Sequence, residues 1–332
     1  MPLSPLKFRP RFVEKMWGGR KLETILGKRL PPGKPIGESW ELYDFPPGVV
    51  EKSSHWVSSE IAAGPLAGRS LHWAVGEFGT DLHGAAPLSG TDGQFPVLIK
   101  FLDAREDLSV QVHPDQAYAS ANAGAHLKSE AWYVLQSDDG SRLLNGIKPG
   151  TTRGNFEAAM VRGDVDRLIN SIPAEAGDCF YLPSGTVHAL GAGILVAEVQ
   201  TPSDTTFRVF DFNRVDPATG KQRELHVKQA LQCIDFSPID PAEYRPRDVS
   251  APLVACPYFQ MRRFALKPNQ QSAVKTRGPL VLIVAEGEAV IQGGGEPVPA
   301  VKGEVVLLPA ALEGVWLSSR GGSTWLEVSF GG

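Results

Sequence analysis

Two segments of this chain share one spacing, and that spacing constrains the fold more than any other feature. The first runs Gly177-Asp-Cys-Phe-Tyr-Leu-Pro183-Ser-Gly185-Thr-Val-His188; the second runs Gly303-Glu-Val-Val-Leu-Leu-Pro309-Ala-Ala311. Each reads as glycine, five residues, proline, one residue, then a small residue. The pattern predicts a turn, a short buried strand, a turn fixed by proline, and a new strand that begins inside a barrel. Only the first copy ends in a histidine.

Composition agrees with a turn-rich β protein. The chain has 35 Gly and 27 Pro in 332 residues, against an ordinary share of about 12%. With 8% aromatic residues and no low-complexity run, the excess points to turns between strands. Apolar residues at 42% and charged residues at 21% allow a large core, in two domains or one large one. No apolar stretch approaches the roughly 18 residues of a membrane span. Met1–Pro10 carries Lys7 and Arg9 but no apolar signal core. Cys179, Cys233 and Cys256 are odd in number and widely spaced, which suggests reduced thiols and a cytoplasmic protein. The formal net charge of −4 argues against nucleic acid as a partner. An anionic substrate would have to be met by a local basic cluster.

Along the chain, residues 1–60 read as irregular, apart from a strand over Ile36–Tyr43. Gly18-Gly19, Pro31-Pro32 and Pro46-Pro47 break every candidate helix there. Residues 95–102 form an apolar run interrupted by Lys100; a lysine in a buried strand must find a charge partner or a wet cavity. In 108–113, Leu108, Val110 and Val112 alternate with Ser109, Gln111 and His113, so three polar side chains share one sheet face. Residues 115–127 suit a short helix, and 130–135 a strand. Residues 155–172 carry apolar side chains at helical spacing and predict one amphipathic helix or two short ones. Residues 237–250 are Pro-rich and polar, a domain boundary. The remainder has short strands and no helix pattern.

A metal site needs three or four converging His, Glu, Asp or Cys ligands. Gln111 and His113 share a strand face, Glu130 opens another strand, and His188 ends the first repeat; adjacent barrel strands can bring the four together. A Gln-x-His pair also suits a plain polar strand face. The remaining histidines, His55, His72, His83, His126 and His226, sit in polar or loop-like contexts that suit the surface. Thr206 and Arg208 share the face opposite Phe207 and Val209, and Arg208 fits either a site or a surface strand. Lys128 and Glu130 share a face if the strand extends that far. Burial of Glu198 among apolar neighbours would raise its pKa and suit it to proton transfer; the alternative is a structural pairing with Arg208 or a lysine.

The Gly-x5-Pro-x-Gly-x2-His spacing resembles the second motif of the cupin superfamily, small β-barrels whose interior histidines bind a metal. Its later asparagine is missing here. A narrower resemblance covers the first 215 residues: KMWGGRKL at 15–22, PIGESWEL at 35–42, FPVLIKFLDAREDLSVQVHPD at 95–115, LKSEAWYVL at 127–135 and GDCFYLPSGTVHALGAGILVAEVQTPSDTTFRVFD at 177–211. These stretches resemble type I mannose-6-phosphate isomerases of the short bacterial kind.

The resemblance implies a mainly β fold of two cupin (jelly-roll-like) barrels. Residues 1–240 would hold the catalytic barrel, with a helical insertion near 153–172, and 245–332 a smaller barrel without metal ligands. It implies one zinc ion per chain on Gln111, His113, Glu130 and His188. It places the family's catalytic arginine at Arg208 and Lys100, Ser109, Lys128 and Trp17 around the substrate; Glu198 is the candidate base on the strength of its apolar surroundings. The implied substrate is a small sugar phosphate, handled by a monomer or homodimer with no nucleic acid or membrane partner. Two rivals differ in class. A metal-dependent cupin oxygenase would normally present His-x-His closely followed by Glu, whereas here Gln111 stands first and Glu130 comes late. A non-catalytic sugar-binding or regulatory cupin would need neither the whole ligand set nor Arg208.

Overall fold

The computed structural model describes residues 3–50, 53–89, 92–216, 219–238, 251–275 and 278–330. Three larger antiparallel sheets dominate it among the described residues. A six-stranded sheet runs in the order Cys179–Leu182, Glu130–Ser137, Ile194–Gln200, Leu98–Ala104, Arg11–Gly19, Ile36–Leu42. A five-stranded sheet runs Ile169–Pro173, Arg142–Ile147, His188–Ala189, Val110–Val112, Phe207–Phe210. A nine-stranded sheet gathers the strands beyond residue 250 and also takes Leu6–Lys7, which pairs with Val306 and Leu307.

The six-stranded sheet is buried on both faces, and alternation sorts its side chains. From the three central strands, Ile99, Phe101, Ala131, Tyr133, Leu195, Ala197 and Val199 face the nine-stranded sheet and pack with Val281, Ile283, Leu326 and Val328. On the other face, Leu102, Trp132, Val134, Ile194 and Val196 join Leu108, Leu143 and Leu190 in a core shared with the five-stranded sheet. The same inward rows continue into polar residues at one end: Lys100 beyond Leu102, Glu130 before Trp132, Glu198 beyond Val196. Register sets Glu198 opposite Lys100, and Glu130 one inward step further along, opposite Gln200. The outer face of the five-stranded sheet is covered by the helices Arg153–Arg162 and Val227–Cys233, whose Phe156, Ala159, Met160, Ala230 and Leu231 pack on Val110, Val112 and Val209.

Both repeats fold as their spacing predicts. Cys179–Leu182 and Val305–Leu308 are short, largely buried strands, each led by a glycine at positive φ (Gly177, +91°; Gly303, +83°). A residue with a Cβ is strained there.

The structure departs from the sequence reading in two places. The segment 155–172 is not helical throughout: after the Arg153–Arg162 helix and a 3₁₀ turn at Val165–Leu168, Ile169–Pro173 is a strand paired with Arg142–Ile147. Ile169 and Ile172 sit three apart, which would put them on one face of a helix; the strand instead turns Ile169 into the helix-covered core and Ile172 into the core between the sheets. The supposedly irregular N-terminus contains the nine-residue strand Arg11–Gly19, whose register shifts at Glu14 blur its alternation. The boundary expected between 240 and 245 lies outside the described residues. Among them, no helix is long and apolar enough to cross a membrane.

Candidate active site

Register alone sets a row of functional side chains across the five-stranded sheet. Gln111 pairs with His188 on one side and Arg208 on the other. Val110 and Val112 turn outward into the helix-covered core, so Ser109, Gln111 and His113 face the six-stranded sheet. Opposite them stand Lys100, Glu130, Trp132 and Glu198. Between the sheets lies a cavity of about 290 Å³ whose lining includes Trp17, Lys100, Ser109, Gln111, Lys128, Glu130, Glu198 and Arg208.

His113, Glu130 and His188 are buried, and one ligand atom from each lies within 4.8 Å of the others. His188 Nδ1 is 2.9 Å from the Thr186 carbonyl oxygen, and His113 Nδ1 is 3.1 Å from that of Thr205. A carbonyl only accepts, so each ring carries its hydrogen on Nδ1 and presents a lone pair at Nε2. These lone pairs face a carboxylate: His188 Nε2 is 3.0 Å from Glu130 Oε1 and His113 Nε2 is 3.5 Å from Oε2. Neither Glu130 oxygen has a well-formed hydrogen bond. Acceptors aimed at acceptors in a buried place call for a cation among them. The Gln111 amide nitrogen is 3.2 Å from His188 Nε2; turning the amide would bring Oε1 to the same point. The group therefore can hold a metal ion.

Lys128 flanks this group, with Nζ 2.8 Å from Glu130 Oε2 and 3.1 Å from His113 Nε2. Burial pushes the Glu130 carboxyl up, but the Lys128 charge holds it well below the usual range. Burial, and then the Lys128 charge, lower His113 to about 3, so the ring is neutral, as a ligand must be. Glu198 lies 3.8 Å from Lys128. Burial, then the Glu130 charge, raise it to about 8 against the pull of Lys100 and Lys128. Lys100 has Glu38 at 3.7 Å, and Glu38 also takes Lys15 at 3.0 Å and the Trp40 indole N–H at 2.7 Å. The buried lysine has thus found its carboxylates. Its pKa is raised: burial pulls it down, but Glu38 and Glu198 more than offset that.

The chain is similar to known proteins over nearly its whole length. Residues 6–141 match the model of the phosphomannose isomerase type I catalytic domain. A mannose-6-phosphate isomerase of Streptococcus mutans is 34% identical over 316 residues, 93% of this chain and 94% of the relative. Mannose-6-phosphate isomerase ManA of Bacillus subtilis is 35% identical over 319 residues, 94% of this chain and 95% of the relative. The chain belongs to the type I phosphomannose isomerases. A crystal structure of the mannose 6-phosphate isomerase from Bacillus subtilis superposes with a TM-score of 0.85 at 28% identity, covering 99% of this chain and 100% of that one. At 19% identity and a TM-score of 0.70, a mannose 6-phosphate isomerase bound with zinc and yttrium shares the fold; the match covers 98% of this chain and 99% of that one.

For a type I phosphomannose isomerase read from sequence, four cavity residues escaped notice: Lys15, Glu38, Asp204 and Arg223. Glu38 left a signal, since alternation puts it on the face of Trp40. Arg223 left none, because only the folded chain brings it back beside Arg208. The other histidines are mixed. His55 is exposed, whereas His72, His83, His126 and His226 are half-buried. The His226 Nδ1 accepts the backbone N–H of Arg208 at 3.1 Å, so this ring helps hold the arginine strand.

Proposed function

We propose that this chain interconverts mannose 6-phosphate and fructose 6-phosphate through a zinc-assisted cis-enediol. Gln111, His113, Glu130 and His188 would hold one zinc ion per chain. The observation that carries the reading is the convergence of two histidine lone pairs on the buried Glu130 carboxylate, beside a cavity lined by a high-pKa acid and two lysines. When bound, zinc supplies Lewis-acid polarisation of the sugar oxygens.

The chain's own residues supply the rest. Glu198 takes the proton from C2 and returns it to C1; a carboxyl near 8 can both accept and donate a proton close to neutral pH. Lys100 and Lys128 donate hydrogen bonds to the O1 and O2 oxygens as negative charge develops there. Ser109 adds a hydroxyl to the same wall, and Trp17, 4% exposed, closes one side of the cavity against water. Arg208 meets negative charge on the substrate from the neighbouring strand. In this reading residues 1–240 form the catalytic unit. Residues 245–332 form a smaller unit with its own apolar core around Trp325, Leu282 and Leu308.

Fructose 6-phosphate formation from mannose 6-phosphate, before and after chelation and zinc add-back, tests the reading. Loss with chelator and recovery with zinc is the expected result. His113→Ala should lose bound zinc and turnover together. A zinc-loaded wild type with no turnover would retire the assignment.

A further inference from the structure

Next to His188, on the side away from Gln111, stands an asparagine that the proposed reaction does not use. Asn145 pairs with His188 across the five-stranded sheet, so one row reads Asn145, His188, Gln111, Arg208. Directly paired residues point to the same side. Leu143, two positions earlier on the same strand, packs in the core between the sheets, so alternation turns Asn145 toward that core as well. Its backbone is pinned: the Asn145 carbonyl accepts Asn170 Nδ2 at 3.3 Å, and the following Gly146 N–H donates to the Val187 carbonyl at 2.8 Å.

The Asn145 side chain is fully buried, yet among the described residues neither Oδ1 nor Nδ2 has a hydrogen-bond partner. Asparagine is a poor strand residue, and a buried amide without partners is costly, so its place here needs a cause. A second buried polar atom nearby has the same property. Trp132 comes from the facing sheet and sets its ring edge-on to His188, with 5.3 Å between centroids and 87° between planes. It is 1% exposed, and its Nε1–H has no partner among the described residues either. Both residues are thus neighbours of one imidazole. Together they offer an amide oxygen as acceptor, amide and indole N–H donors, and no charge. An ion there would be uncompensated. A small neutral molecule that both donates and accepts satisfies them, and water is the one that fits an enclosed polar site. It also joins groups that are too far apart to bond directly.

We propose that Asn145 and the Trp132 indole N–H hold one enclosed water, and that Asn145 is thereby the positioning residue for the Trp132 ring. That ring meets His188 and also lines the cavity. Fixing the indole plane through its N–H fixes the wall against which the His188 ring seats. This is one step more remote than a partner bonded to a ligand itself. The inference rests on the metal reading above and carries it one layer outward.

The test measures zinc affinity by competition with a chromophoric chelator for wild type, Asn145→Leu, Trp132→Phe and the double variant. Leucine keeps the volume without the amide, and phenylalanine keeps a ring without the N–H. Each single variant should weaken zinc binding by about threefold to tenfold, less than the roughly tenfold to hundredfold of a residue bonded directly to a ligand. The double variant should lose little more than either single, because both remove the same water. An idle amide predicts otherwise: Asn145→Leu would raise the thermal midpoint and leave zinc affinity alone, and that result overturns the inference. A crystal structure of the wild type checks it without any variant and without metal. Electron density for one water within hydrogen-bond distance of both Asn145 and Trp132 Nε1 is expected. A direct bond between the two side chains, or no density between them, overturns the inference. A wild type that holds this water but binds no zinc defeats the metal reading alone.

Discussion

Glu38 shows how a single buried charge can couple stability to the site. It is 8% exposed and accepts Lys15, Lys100 and the Trp40 indole. Burial alone would raise its carboxyl, yet the two lysines hold it at about 2 against an ordinary 4.5. A carboxyl depressed by folding stabilises the protein fully above its unfolded pKa, and loses that contribution as pH falls from about 4.5 through about 2. A shift of this size corresponds to about 3 kcal/mol. Glu38→Gln should therefore be less stable at pH 7 and show a flatter decline between pH 5 and 2. Urea midpoints for both proteins across that window check it; parallel profiles would mean that Glu38 contributes nothing to the acid response. Glu38 was within reach of sequence reading through alternation with Trp40. Arg223 was not, since its partner Asp211 comes from before the Val215–Asp216 and Lys221–Gln222 hairpin and no periodicity spans that turn.

At the scale of elements, alternation was the reliable signal. In 108–113 it assigned the inward face, and the structure sets Ser109 and Gln111 in the cavity. Helical spacing misled at 169–172, where pairing to Arg142–Ile147 overrides the local pattern. The repeat carries a sharper expectation. Gly303 has a φ of +83°, and a Cβ added there would lie 2.7 Å from the Leu26 Cβ. Gly303→Ala meets both backbone strain and a clash, and should destabilise the protein by more than about 1 kcal/mol. Gly177, at φ +91°, has its nearest neighbour at 3.4 Å, the flexible end of Arg263, so Gly177→Ala should cost less. Thermal midpoints of the two variants rank them; the reverse order would show that packing around Leu26 yields easily.

The whole molecule is joined by one apolar layer. Ile99, Phe101, Tyr133 and Leu195 of the six-stranded sheet share a cluster with Val281, Ile283, Leu326 and Val328 of the nine-stranded sheet, and Leu6–Lys7 is itself a strand of the latter. Removing residues 251–332 would expose that face and leave Leu6–Lys7 without its partner. A chain ending at residue 250 should therefore be recovered mostly as aggregate, in the manner of large uncovered apolar patches. Recovery of a soluble truncated protein that binds metal as the full chain does would show that the site-bearing sheets are self-sufficient.

The sequence by itself determined the mainly β character, the two proline-turned strands and the inward face of residues 109–113, and it singled out His113, Glu130 and His188, the group that could hold a metal. Those features are local: a two-residue period, a glycine needed at positive φ and a proline-fixed turn are written within a few positions. Only the tertiary structure decided which lysine meets which carboxylate, that Glu198 stands beside Glu130, and that Asp211 binds Arg223 at the cavity edge. Those depend on strand register and on the distance between two packed sheets. Such quantities follow from how the whole core fills space, not from any stretch of the chain.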